Sequence, residues 1–89
     1  MVKGKTKSGF EYEIDELKIQ DQRVLDYIVD VEDGRVESVS RLIRMILTPE
    51  QKNALYAHCA DESGRVPPER TTEEIFEILK NSGEEAKNS

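Results

Sequence analysis

The sequence predicts a mainly α-helical α+β domain, a compact bundle of about four helices behind a small N-terminal β-hairpin. Three observations carry this. Phe10, Tyr12 and Ile14 alternate with Glu11, Glu13 and Asp15, which is the period of a half-buried strand. From Leu17 to Leu79 the apolar residues then recur at helical spacing in separate blocks. Thr48-Pro49 and Pro67-Pro68 punctuate those blocks as helix starts and stops do.

The hairpin is expected over residues 2–14, with Ser8-Gly9 as its turn and Val2 to Lys7 as the weaker strand. A two-stranded ribbon is marginal in water, so Phe10, Tyr12 and Ile14 must lie against the helices or against another copy of the chain. They are the expected residues for subunit pairing. Lys3, Lys5 and Lys7 are expected to be solvated edge lysines that block unwanted strand pairing.

The first helix is expected over about residues 15–33, with Leu17, Val24, Ile28 and Val31 on one side and Gly34 as its terminating residue. Ile19 falls off that stripe, which suits a start at Asp21 instead of Asp15. The second helix, about residues 36–47, places Val36, Val39, Leu42, Ile43, Ile46 and Leu47 in an arc of roughly 140°. That is wide for a short helix. It suits either a central core helix, the simpler case, or one that turns part of its face to a partner. Met45, among Arg41 and Arg44, is an adaptable side chain outside that arc.

The third helix, about residues 49–61, begins with Thr48 as N-cap, Pro49 at the first helical position and Gln51 completing a capping box. Asp61-Glu62-Ser63-Gly64 stops it, and Pro67-Pro68 redirects the chain into a fourth helix over about residues 68–81. Ile75, Phe76, Ile78 and Leu79 are its apolar set, with Glu73, Glu74 and Glu77 as an acidic outer face. Residues 1–82 then form a single domain, and 83–89 a disordered polar tail.

Composition narrows the function by exclusion. With 89 residues, 36% hydrophobic and no Trp, the core is modest, which favours association into a homo-oligomer or with a partner. The net charge is −6, and both halves are acidic: 8 basic against 10 acidic residues in 1–45, and 5 against 9 in 46–89. Nucleic acid is therefore not an expected partner. No apolar run reaches the roughly 20 residues of a membrane span, and MVKGKTKSGF lacks the apolar core of a signal peptide. A single cysteine suits a reducing compartment, so a cytoplasmic protein is expected.

Catalytic and metal chemistry find little support. Adjacent helical positions point about 100° apart, so His58 and Cys59 cannot readily pair, and together they are too few for a structural zinc site. Asp30-Val31-Glu32-Asp33-Gly34 fails as a calcium loop, because position 29, five residues before the glycine, is Val29. No phosphate loop and no Ser-His-Asp set can be picked out. The chain is expected to be no enzyme and to need no cofactor.

The order of its motifs resembles a family. A Lys-rich hairpin (Lys3 to Asp15), an acidic VEDG helix end (Val31 to Gly34), the LTPEQKNALYAH helix (Leu47 to His58), the ESGRVP corner (Glu62 to Pro67) and EEIFEIL (Glu73 to Leu79) occur in that order. This is similar to the small tail assembly chaperones of long-tailed phages and prophages of Gram-positive bacteria, over roughly residues 1–80. The resemblance implies a non-catalytic chaperone that binds and solubilises the tape measure protein before tail tube subunits polymerise around it. It further implies contact with the tail tube protein, residence in the host cytoplasm, and absence from the finished virion. Local pattern makes Leu42, Met45, Ile46, Phe76 and Leu79 the expected client or subunit contacts. The alternative is a small acidic regulator, such as a DNA mimic or an inhibitor, that covers a basic partner surface.

Overall fold

The alternation at the N-terminus does form a hairpin. In the computed structural model, which describes residues 1–88 and the side chains of residues 1–83, β1 (Val2–Lys5) pairs antiparallel with β2 (Glu11–Ile14). Val2 stands opposite Ile14, Gly4 opposite Tyr12, and the exposed Lys3 and Lys5 opposite Glu13 and Glu11. Opposite charges facing across two strands favour this register. The turn is closed by Gly9 N–H donating to the Thr6 carbonyl at 2.9 Å and by Thr6 N–H donating to Phe10 O at 2.9 Å. Gly9 takes φ 100°, a left-handed conformation that a side chain would resist. Phe10, Tyr12 and Ile14 all turn inward and are buried within this one chain.

Five helices follow among the described residues, one more than expected. The run from residue 15 to 33 is two helices: a single turn, α1 (Glu16–Ile19), and α2 (Gln22–Glu32). Each has its own aspartate cap. Asp15 accepts from Leu17 N–H, and Asp21 accepts from Arg23 N–H at 2.8 Å while also gripping the Arg23 guanidinium. The break at Gln20-Asp21 corrects the expected stripe. Leu17, drawn inward by a continuous helix, is instead 70% exposed, and Ile19 packs on the core.

α2 ends as its glycine predicts. Arg35 N–H donates to Asp30 O at 2.8 Å and Gly34 N–H to Val31 O at 3.0 Å, with Gly34 at φ 92°. That double closure satisfies the last carbonyls of the helix. Ser38, fully buried at the start of α3 (Glu37–Ile46), donates from Oγ to Asp30 Oδ2 and ties the two helices together.

α4 (Pro49–Cys59) starts at the expected cap, with Gln51 N–H donating to Thr48 Oγ1 at 3.2 Å. The reciprocal half of the capping box is absent, because the Gln51 side chain reaches the hairpin instead. The corner after α4 is wound round Asp61. Its Oδ1 accepts from Ser63 N–H, Ser63 Oγ–H and Arg65 N–H, and the Ser63 hydroxyl above all holds its carboxyl below the usual range. Pro67 is buried, and Pro68 opens α5 (Pro68–Asn88).

α5 passes through Ser82 and Gly83, where the sequence suggests a stop. The tail expected over residues 83–89 overlaps the end of this helix, and its side chains from residue 84 on lie outside those described. α5 is the spine of the fold and touches β1, α1, α3 and α4. Ile14, Leu42, Ile43, Ile46, Leu55, Ile75 and Ile78 are each at most 2% exposed and make the centre of the core. No helix among the described residues is long and apolar enough to cross a membrane.

Candidate protein-binding groove

Two features of the surface combine residues from distant parts of the chain. One is polar and sits where the hairpin turn meets α4 and α5. Ser8 Oγ donates to Glu74 Oε1 at 2.7 Å and lies 2.8 Å from His58 Nε2, while Thr6 Oγ1 donates to the same carboxylate oxygen at 2.8 Å. Lys7 N–H donates to Glu77 Oε2 at 2.7 Å. Glu74 is buried, so the acidic outer face expected for this helix is corrected. Two of its three glutamates are used to anchor the hairpin.

This Ser-His-Glu meeting is a staple in its geometry. In a nucleophile relay the carboxylate holds the ring nitrogen remote from the hydroxyl. Here His58 Nε2 and Glu74 both meet Ser8 Oγ itself. With the hydroxyl proton given to Glu74, His58 Nε2 would donate to Ser8, as in a structural staple. Cys59 is 3% exposed, and burial first, then the Glu74 carboxylate, pushes its thiol up, which favours the protonated form. Among the described residues no three His, Cys, Asp or Glu side chains are arranged to hold a metal ion.

The other feature is an open apolar groove of about 830 Å³. α3 supplies Val36, Val39 and Ile43, α4 supplies Tyr56, and the corner supplies Val66 and Pro68. The corner shapes it: the tight turn on Asp61 leads into Val66, Pro67 and Pro68, and the buried Val39 and Ile43 of the core lie at its base. Val36, 70% exposed, forms the lip. Glu37, Glu69 and Glu73 border it, and no Lys or Arg does.

The expected contact residues are placed differently. Leu42, Ile46 and Leu79 are buried in the core, and Met45 and Phe76 are half-buried against it. None of the five lines the groove. Phe10, Tyr12 and Ile14, expected to pair subunits, are 5%, 5% and 1% exposed, so the single chain already covers them. The groove residues escaped sequence reasoning because they come from three elements. One signal pointed to them: Val36 and Val39 are the N-terminal excess of the wide apolar arc on α3.

Comparison of the chain with models of protein families, with curated proteins and with solved structures finds no match. A groove with an apolar floor and an acidic border has the character of a surface that holds a protein segment.

Proposed function

We propose that this chain is a non-catalytic tail assembly chaperone that holds the tape measure protein in soluble form before tail tube subunits polymerise. The observation that carries the proposal is the open apolar groove between α3 and the α4–α5 corner. A chaperone for a helical client needs an apolar surface that stays uncovered while its own core is complete. The core supports this, because Leu42, Ile46 and Leu79 are consumed inside and the groove is left over. The motif order adds support, since its segments coincide with the hairpin, the Gly34 helix end, the Thr48 cap and the proline corner. On this view the chain works in the host cytoplasm as an oligomer or with its client, and it leaves before the virion is complete.

The acidic-regulator alternative loses part of its warrant, since Glu74 and Glu77 bind the hairpin turn. Co-expression with tape measure fragments tests the proposal. Fragments that are insoluble alone are expected in the soluble fraction with this chain. Fragments that remain insoluble contradict it.

A further inference from the structure

We propose that the groove seats a basic amphipathic helix, one whose apolar stripe is flanked by Lys or Arg. This rests on the client-binding function above and names the chemistry of the bound segment.

The floor fits one side of a helix. Val39 and Ile43 lie one turn apart along α3, and Tyr56 and Val66 line the groove from α4 and the corner, a spacing that suits anchors at i, i+3 or i+4, and i+7. Its border carries a single sign of charge. Glu37 and Glu69 sit in the first turns of α3 and α5, and Glu73 follows one turn later on α5. None of the three is in an ion pair among the described residues. This distinguishes them from Asp21, Asp30 and Asp61, each of which has an arginine beside it. On the neighbouring elements, Arg70 donates to the Cys59 carbonyl, and Lys52 stands 5.8 Å over the Tyr56 ring. An apolar floor with an acidic border that has no ion-pair partner among the described residues selects a segment that brings both an apolar stripe and positive flanks. An acidic helix of the same stripe is repelled.

The full chain, titrated with a designed peptide, provides the test. The probe is a ~18-residue helix, long enough to hold its fold, with Leu at i, i+3, i+4 and i+7 and Lys on the flanks. A second probe carries Glu in place of every Lys. The Lys probe is expected to bind about tenfold more tightly than the Glu probe, with NMR shifts centred on Val36, Val39, Tyr56 and Val66. The combined E37Q, E69Q and E73Q substitutions are expected to erase that preference and leave the apolar affinity. Val36→Ser with Val66→Ser, at the exposed lip and the half-buried wall, is expected to weaken both probes. Leu17→Ser, outside the groove, changes neither.

Equal binding of the two probes, shifts centred elsewhere, or no binding would overturn the proposal. So would a dimer of this chain that becomes monomeric in Val36→Ser, which would place a second copy in the groove. Failure of the two proposals is separable. Lys-probe binding with tape measure fragments still insoluble refutes the chaperone function alone. Fragment rescue unaffected by the Val36 and Val66 substitutions refutes the groove assignment alone.

Discussion

The side-chain amide of Gln51 binds the main chain of Glu13 on both sides, Nε2 donating to the Glu13 carbonyl at 2.8 Å and Oε1 accepting from its N–H at 2.9 Å. A neighbouring strand would make the same pair of bonds. Gln51 thus occupies part of the open edge of β2, and the start of α4 is locked to the hairpin. Gln51→Ala removes both bonds at an exposed site and is expected to cost about 1 kcal/mol, read as a lower urea midpoint with unchanged slope. A change in slope, or none in midpoint, would show that the pair does not hold the edge.

Gly4 lies beneath the ring of its cross-strand neighbour Tyr12, and a Cβ there would run into the phenol. Tyr12 is 5% exposed and has little room to swing away. Gly4→Ala is therefore expected to destabilise the fold by about 1–3 kcal/mol and to alter the near-ultraviolet dichroism of tyrosine. A melt matching the parent chain would refute the close approach.

Glu74 is the acceptor for both Thr6 and Ser8. Glu74→Ala leaves the buried Thr6 hydroxyl without that partner and is expected to cost about 1–3 kcal/mol, whereas Glu74→Gln keeps an acceptor oxygen and costs less. Hydrogen exchange at the hairpin amides should rise in the first variant well above the second. Equal protection in both would contradict the staple.

Asp21 titrates low, to about 2 from 3.8, chiefly because its side chain accepts from Arg23. A depressed carboxylate stabilises the folded state above its unfolded value and loses that contribution as pH falls through the folded one. The start of α2 should therefore loosen between pH about 4 and about 2. In Asp21→Asn the same amides should exchange independently of this titration.

Ser82 is fully buried on α5, and its hydroxyl has no hydrogen-bond partner among the described residues. Ser82→Ala is expected to be neutral or to stabilise by up to about 1 kcal/mol in a thermal melt. A clear loss of stability would show a partner for that oxygen.

What could be read in the sequence was local. Thr48-Pro49 starts α4, Gly34 ends α2, and the alternation at Phe10, Tyr12 and Ile14 marks the inner face of the hairpin, because each signal acts within a few residues. The split into α1 and α2 was half legible: Ile19 off the stripe pointed to the start after Asp21, but Leu17 fitted the helical wheel and gave no sign of a separate turn. Glu74 looked like a solvated helix face because Ser8, its partner, is 66 residues away. Gln51 looked like half of a capping box for the same reason, its real partner being 38 residues distant. The groove was the least legible feature, since the width of the α3 arc hinted at a partner but not at the corner that leaves Val36 uncovered.

The most direct measurement is the solubility and co-purification of tape measure fragments expressed with this chain and with its Val36→Ser and Val66→Ser variant. The account predicts a soluble complex with the parent chain that withstands high salt, and little or none with the variant. Fragments that stay insoluble with the parent chain, or that are released entirely by moderate salt, would contradict it.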